Sequence, residues 1–261
     1  NDSFNYKRII VEQIDSIRIV SINRPECRNA VDETTAIELL DAFEKINNDD
    51  TVKVSILTGT NGTFCAGYDL KSLSNNPLIH DSTQSSRTNT LKTISSYDFS
   101  RSGYMGPSRL HMKKPVIAAI EGYAVAGGLE LSLWCDIRIV SKSTIFGVHC
   151  RRWGVPLIDG GTIRLPRLIG QSRAMDMILS GRDVDANEAL SFGLANYIVE
   201  KGCSLQKSID YAFQLSKFPS ECMSKDREMI YKQWDLNYED ALREEGKSDE
   251  FTNKIMKLAT E

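Results

Sequence analysis

A pair of adjacent glycines at the start of a helical segment, Gly127 and Gly128, constrains this chain more than any other feature. Upstream, residues 115–120 are apolar and rich in β-branched and small side chains, which predicts a buried strand. Downstream, residues 129–134 carry leucines four positions apart, which predicts a helix. Glycine allows close approach to the backbone, and the first amides of a helix have no acceptor within it. The junction therefore predicts a site for an anion or a developing oxyanion.

One carboxylate, that of Glu130, follows these amides within a single turn. A carboxylate beside an oxyanion site is the minimum equipment for proton transfer next to a carbonyl group. The alternative interpretation is a tight turn followed by a favourable helix charge. A second junction favours catalysis, because Gly67 follows a predicted strand, 54–57, and precedes a predicted short helix, 69–73. Two such junctions can each direct one amide at the same oxygen.

Several motifs lie in a fixed order between about residue 8 and about residue 200. They are Asn23-Arg24-Pro25 with Asn29-Ala30, Phe64-Cys65-Ala66-Gly67-Tyr68-Asp69-Leu70, residues 122–131, Cys135-Asp136, and residues 159–162 with 165–170. In this combination the chain resembles the crotonase (enoyl-CoA hydratase/isomerase) superfamily. The resemblance implies an α/β fold, a crotonase-like spiral of ββα turns in residues 1–200. Residues 201–261 would form a helical segment that packs on the core and on a neighbouring subunit, in a homotrimer or a dimer of trimers.

An acyl-CoA site is also implied by the resemblance. The backbone N–H groups of Tyr68 and Gly127 would form an oxyanion hole for the thioester carbonyl, and Glu130 falls on one of two catalytic glutamates. Further substrate contacts are implied at Arg28, Ala66, Gly67, Asp69, Leu70, Gly128 and Cys150. Coenzyme A would then be part of the substrate, and no separate cofactor is expected.

The second glutamate position of the family falls on Cys150. A thiol has an ordinary pKa of about 8.5 and accepts only weak hydrogen bonds, which argues against two-glutamate chemistry. Asp159 offers a compensation, because some family members, such as dienoyl-CoA isomerase, place an acidic catalytic residue there. Alternatively, Asp159 caps a helix that opens at Gly160. Cys150 as a covalent nucleophile is a further alternative, although His149 should point to the opposite face if the preceding strand continues.

These residues predict an enzyme that stabilises an enolate oxyanion on an acyl-CoA thioester, with 2-trans-enoyl-CoA hydration as the leading reaction. Double-bond isomerisation is the first alternative, because one acidic residue can shuttle a proton without a positioned water. Decarboxylation of a branched or malonyl-type acyl-CoA is the second. A scaffold that binds acyl-CoA or RNA without catalysis is the alternative from another class of protein.

Composition limits the partners of this chain. Its 261 residues carry a net charge of -3, so no broad attraction to nucleic acid is expected. No apolar run approaches the ~20 residues that span a bilayer. The six cysteines are scattered and the three histidines dispersed, which predicts free thiols in a reducing compartment and no metal site. We expect a cytoplasmic protein, or a mitochondrial-matrix protein if a presequence has been removed.

A long polar segment, 74–108, interrupts the predicted elements and is typical of a loop or lid. Four residues in it are candidates for the wall of an acyl pocket, with ordinary packing as the alternative: Tyr97, Phe99, Tyr104 and Met105. The other predicted elements are strands at 8–12, 17–22, 136–140 and 145–148, a helix from Asp32 through Asn47, and helices at 171–180, 186–190, 204–216, 220–233 and 237–260.

Overall fold

The computed structural model of the chain describes residues 5–74 and 103–247. Six strands form the larger sheet, in the order β1-β2-β3-β4-β6-β9. They are β1 (Ile9–Ile14), β2 (Ile17–Ile22), β3 (Val54–Gly59), β4 (Val116–Ile120), β6 (Ile137–Ser141) and β9 (Tyr197–Val199). β1 and β2 form an antiparallel hairpin that turns at Asp15, and every later pairing in this sheet is parallel.

Three short strands form a second sheet in the order β5-β7-β8. They are β5 (Tyr123–Val125), β7 (Ile145–Gly147) and β8 (Asp183–Asp185). β5 pairs with β7 in parallel, and β7 pairs with β8 in the antiparallel sense. Strand β5 was not predicted from the sequence, because three residues give too short a pattern beside the glycines. The double-glycine helix therefore follows β5 of the small sheet directly, and not β4.

Nine α-helices lie within the described residues. They are α1 (Glu33–Asn48), α2 (Leu70–Ser74), α3 (Gly127–Trp134), α4 (Gly161–Ile169), α5 (Gln171–Ser180), α6 (Ala186–Phe192), α7 (Ser204–Ser216), α8 (Ser220–Lys232) and α9 (Tyr238–Gly246). The predicted cap of the first helix is confirmed, because the side chain of Asp32 accepts a hydrogen bond from the Thr35 amide at 2.8 Å. Helix α5 has the predicted bounds and ends at Gly181, which adopts a left-handed conformation.

Both faces of the larger sheet are covered. Ile17 and Ile19 of β2 pack on the side of helix α7, whereas Val20 and Ile22 pack on the side of α1. The alternation follows from the two-residue period of a strand. It continues through the parallel strands, whose near-continuous apolar sequence is typical of sheets that are buried on both sides.

Helix α3 is buried along its whole length. At its N-terminus, a Cβ atom at Gly128 would overlap the carbonyl oxygen of Cys65, so only glycine fits there. At its C-terminus, the buried Arg138 donates to the carbonyl oxygens of Ser132 and Cys135, at 3.2 and 2.7 Å. A cation at this end complements the helix dipole and satisfies carbonyls that have no partner within the helix. Helix α3 is thereby fixed at both ends.

The described residues divide into two compact units, one up to Lys217 and one from Phe218 onward. Within the second unit, an ion pair between Lys232 and Glu244, at 2.5 Å, joins α8 to α9. The predicted last helix, 237–260, is described only as far as Gly246, and its remainder lies outside the described residues, as do Tyr97 and Phe99. The proposed division near residue 200 stays a prediction.

In the part of the chain that the structure describes, no helix is both long enough and apolar enough to cross a membrane. The same residues contain no cluster of three or more histidine, cysteine, aspartate or glutamate side chains placed to hold a metal ion.

We expect the substitution Gly128→Ala to lower the free energy of unfolding by about 2 kcal/mol, the usual cost of overpacking a tight site. The added methyl group would displace the Cys65 backbone, which cannot rotate away as a side chain can. Urea unfolding followed by circular dichroism measures the change. The matched control is Gly246→Ala, where a Cβ meets no heavy atom within 4 Å among the described residues. Equal midpoints for both variants would contradict this account.

Candidate active site

The first predicted oxyanion donor is the amide of Gly127. Ala126 precedes helix α3 with a φ of 52°, a conformation that L residues rarely adopt, and its carbonyl accepts the amide of Glu130 at 3.2 Å. The N–H of a trans peptide points away from the carbonyl of the same peptide unit. The Gly127 N–H is therefore directed out of the N-terminal end of α3, where no intrahelical acceptor exists.

The second predicted donor is the amide of Tyr68. The carbonyl of Gly67 accepts the Val31 amide at 2.8 Å, and the Asp69 amide donates to the Val31 carbonyl at 2.8 Å. The same trans-peptide geometry directs the Tyr68 N–H away from Val31. Gly67 has a φ of 104°, which explains why glycine stands at this position.

The segments that carry these two amides lie against each other. The Cys65 amide donates to the Tyr123 carbonyl at 2.9 Å, and the Val125 amide donates to the Cys65 carbonyl at 3.1 Å. A Cβ atom placed on Gly67 would lie 3.1 Å from the nitrogen of Gly127. The two glycine-bearing junctions, which are about 60 residues apart in the sequence, are thus direct neighbours in space.

Glu130 lies in the interior beside them, with 3% of its surface exposed. Its Oε1 accepts the amides of Asp159 and Gly161, at 2.8 and 2.9 Å, and Gly161 is the first residue of helix α4. Among the described residues, Oε2 accepts no hydrogen bond. Burial raises the pKa of Glu130 to about 7, with a further contribution from the charge of Asp159, while the two amides oppose the shift. The carboxyl group is therefore poised to change protonation near neutral pH.

Asp159 is a second buried carboxylate, 2% exposed. Its Oδ1 accepts a hydrogen bond from the Ser108 hydroxyl, and the backbone amides of Tyr104 and Met105 also donate to the carboxylate. The alternative that Asp159 caps helix α4 is wrong, because its carboxylate accepts from Ser108, Tyr104 and Met105, and the amide of Gly161, the first residue of α4, donates to Glu130. Burial raises the pKa of Asp159, against hydrogen bonds that favour the ionised form.

Cys150 lies near Glu130, in a 3-10 turn that spans His149–Trp153. The predicted strand 145–148 does not continue to His149, because β7 ends at Gly147. His149 instead pairs with Asp183, at 2.7 Å between Nε2 and Oδ1. Burial raises the pKa of Cys150, and the charge of Glu130 adds to the effect. Both influences keep the thiol neutral, which argues against a role as nucleophile.

A tight turn, residues 103–106, brings two of the candidate wall residues beside the amides. Gly103 and Gly106 exchange reciprocal backbone hydrogen bonds, at 2.9 and 3.0 Å. Met105 packs so closely on Gly127 that a Cβ there would overlap its sulfur. The ring of Tyr104 contacts that of Tyr68 edge-on, with centroids 5.9 Å apart. The 103–106 turn therefore borders both predicted oxyanion donors.

A buried arginine for which no functional role is predicted from the sequence, Arg24, fixes the segment after Tyr68. Arg24 is 7% exposed and pairs with Asp69 and Asp32, at 3.0 and 3.2 Å. Asp69, predicted as a substrate contact, is thus held by Arg24. The Asn23-Arg24-Pro25 motif was visible in the sequence, but its burial follows only from the tertiary arrangement.

The predicted coenzyme A contacts differ in their exposure to solvent. Arg28 is exposed, and its guanidinium lies 5.7 Å from the centre of the Tyr123 ring. Its carbonyl accepts the amide of Ala66 at 3.1 Å, and Leu70, at 38% exposure, begins helix α2. These residues are accessible to a ligand. Gly128, in contrast, is buried against Cys65.

The fold is mixed α/β, and the site places a buried carboxyl group beside two glycine-bearing backbone junctions. The family model described as enoyl-CoA hydratase/isomerase matches residues 12–255, and the chain belongs to that family. The predicted crotonase fold is confirmed by its similarity to solved structures. A crystal structure of enoyl-CoA hydratase from Mycobacterium tuberculosis H37Rv has a TM-score of 0.81 at 29% identity, covering 97% of this chain and 96% of that one.

Curated relatives show the same family. Enoyl-CoA hydratase EchA19 of Mycobacterium tuberculosis is 34% identical over 214 residues, which cover 79% of this chain and 74% of that protein. Crotonyl-CoA hydratase of Syntrophomonas wolfei is 33% identical over 197 residues, which cover 75% of this chain and 70% of that protein. The prediction of an enzyme of this family is thereby confirmed.

We expect Asp159→Asn to lower the pKa of Glu130 below its value of about 7, because the substitution removes a nearby negative charge. The inflection assigned to Glu130 in the pH profile of kcat/KM then moves to lower pH, and carboxyl NMR on labelled glutamate measures the same shift directly. Asp176→Asn is the control, because Asp176 is half-exposed and pairs with Arg182. An unchanged or raised pKa in Asp159→Asn would contradict the assignment.

Proposed function

We propose that this protein hydrates 2-trans-enoyl-CoA thioesters, with Glu130 as the acid–base residue. The observation that carries the proposal is the buried Glu130 carboxyl group, whose pKa is raised to about 7, beside the neighbouring segments that bear the Tyr68 and Gly127 amides. The names of the two curated relatives support it, since both are hydratases of CoA thioesters.

In the proposed reaction the thioester oxygen accepts hydrogen bonds from the Tyr68 and Gly127 amides. These bonds strengthen as negative charge develops on the oxygen in the enolate, so they lower the barrier more than they tighten substrate binding. The loss of one such donor typically costs about a hundredfold in rate. Because helix α3 is fixed at both ends, the Gly127 donor needs little reorganisation when the charge appears.

Glu130 transfers the protons. Ionised Glu130 takes a proton from water as the water oxygen bonds to C3, and the protonated carboxyl group then returns a proton to C2. A pKa near 7 serves both steps, since each form is well populated at neutral pH. Oε1 is anchored by two amides, which leaves Oε2 as the oxygen that exchanges the proton. Asp159 assists by raising the pKa of Glu130 through its charge.

Double-bond isomerisation is the second candidate, and Cys150 is the observation that favours it. Isomerisation takes a proton from C2 of a 3-enoyl thioester and returns it to C4 through a dienolate, whose oxygen the same two amides would stabilise, and one acidic residue suffices. By the resemblance, other family members carry a second glutamate at the position of Cys150. The neutral thiol here accepts only weak hydrogen bonds, so it is poorly suited to position a water molecule.

The remaining assignments belong to the same proposal. The substrate contacts are Arg28, Ala66, Gly67, Asp69, Leu70 and Cys150, whereas Gly128 seats helix α3 on Cys65 instead of contacting the substrate. Coenzyme A enters as part of the substrate without a separate cofactor. The protein acts as a homotrimer or a dimer of trimers, in the cytoplasm or in the mitochondrial matrix. Exposed Arg28 is suited to a phosphate group of coenzyme A.

We expect Glu130→Gln to lower kcat for crotonyl-CoA hydration by about a thousandfold, because it removes the only proposed proton-transfer group. The loss of conjugated enoyl absorbance measures the rate, and KM should change little. Glu200→Gln, an exposed residue paired with Lys142, is the control. A Glu130→Gln variant with near-normal turnover would exclude Glu130 as the acid–base residue.

The substitution Cys150→Glu tests which reaction the native site favours. A second carboxylate should raise the ratio of crotonyl-CoA hydration to 3-hexenoyl-CoA isomerisation by about tenfold, because it supplies an acceptor for the attacking water. Product analysis on both substrates measures this ratio. Cys150→Ser controls for loss of the thiol. If native protein converts only the 3-enoyl substrate, isomerisation becomes the assigned function.

A further inference from the structure

Arg164, on helix α4, connects two segments of the candidate active site. Its guanidinium donates through Nη1 to the carbonyl of Asp159 at 2.9 Å and through Nη2 to the carbonyl of Ser108 at 2.6 Å. The group lies directly over Gly160, where a Cβ atom would overlap Nη1. Gly160 has a φ of 93°, which a side chain would strain further. The absence of a side chain at 160 therefore makes room for the guanidinium.

The first of these segments consists of the 103–106 turn and the residues that follow it, up to Ser108. Ser108 is fully buried, and its hydroxyl donates to the Asp159 carboxylate, which also accepts the Tyr104 and Met105 amides. Two successive amides directed at one anion form a nest, a common anion-binding arrangement of the backbone. Gly103 completes the contact, because a Cβ there would overlap both Asp159 and Ser108.

The other segment carries the anchor of Glu130. The Asp159 amide and the Gly161 amide both donate to Oε1 of Glu130. Residue 159 thus holds the catalytic carboxylate with its backbone and the 103–106 turn with its side chain. On the far side of that turn, Met105 contacts Gly127 and Tyr104 contacts Tyr68. A shift between these segments would change the distance from Glu130 to the two segments that carry the Tyr68 and Gly127 amides.

We propose that Arg164 is a positioning residue, whose guanidinium fork joins the Ser108 and Asp159 carbonyls and so sets the 103–106 turn relative to Glu130. The proposal rests on the acyl-CoA reaction proposed above. A planar guanidinium presents two donors in fixed geometry, whereas an ammonium group is a compact point charge. The fork therefore accounts for arginine at this position.

Charge and geometry can be separated at this residue. Within residues 5–74 and 103–247, the charged groups that act on Glu130 are Asp159 and Arg164, the Cys150 thiol lies nearby, and Arg109 acts on Asp159. Arg164 lowers the pKa of Glu130, so Arg164→Gln should move the Glu130 inflection to higher pH. Arg164→Lys keeps the charge and loses the fork, so it should leave the inflection in place while the turn is released.

The experiment compares Arg164→Lys and Arg164→Gln with the native chain. We expect both to raise KM for crotonyl-CoA, and Kd for the saturated analogue butyryl-CoA, by about tenfold, the loss typical of one hydrogen bond to a charged group. Hydrogen exchange at the Tyr104 and Met105 amides should become faster in both. Arg173→Lys is the control, because Arg173 is an exposed arginine on α5 that stacks on Phe192.

The outcomes test the positioning role of Arg164 separately from the proposed acyl-CoA reaction. Native Kd, KM and exchange rates in Arg164→Lys would overturn the positioning role, as would a lowered Tm with unchanged Kd. If Arg164→Lys fails to fold, Ser108→Ala removes a single hydroxyl from the same connection and should also raise Kd for butyryl-CoA. An unchanged Kd in that variant overturns the positioning role.

If native protein binds butyryl-CoA but converts no enoyl-CoA, the proposed function fails, and the positioning role is judged on Kd and on the amide exchange rates. If it binds no acyl-CoA, both fail.

Discussion

The interaction on which the rest of the site depends is the pair of backbone amides that hold Oε1 of Glu130. A carboxylate as buried as this one would be too costly to ionise without donors, and with too many donors it would hold no proton at neutral pH. Two amides against nearly complete burial place its pKa at about 7. One of those amides belongs to Gly161, the first residue of helix α4. The position of the start of helix α4 therefore also determines the pKa of Glu130.

The fold places two loops, one from each sheet, next to Glu130. The Gly67 junction follows β3 of the larger sheet, while the Gly127 junction follows β5 of the smaller one, and backbone hydrogen bonds at Cys65 join them. The loop before α4 then meets Glu130 from a third direction. Membership of the enoyl-CoA hydratase/isomerase family agrees with this arrangement, in which donors and acid come from separate parts of the chain.

Local sequence was enough to predict the elements that have a clear pattern of apolar residues or a recognisable cap. Helix α5 with its terminal Gly181, the Asp32 cap and the strand β2 follow from periodicity, capping and apolar runs. Strand β5 is too short for such a signal. The partners of Asp159 and the burial of Arg24 depend on contacts between segments more than forty residues apart, which no local pattern encodes. The resemblance identified the positions, but not what each side chain touches.

The fit of Gly128 against the Cys65 carbonyl has a consequence for how such a site can change. The contact that seats helix α3 is also the contact that sets the spacing between the two amide-bearing segments. A substitution that widened this spacing would loosen the interior at the same point, so selection for a differently shaped oxyanion pocket would carry a cost in folding. Substitutions of Tyr104 or Met105 in the 103–106 turn would change what borders the amides while leaving the contact between Gly128 and Cys65 intact, so adaptation to new acyl groups is easier there.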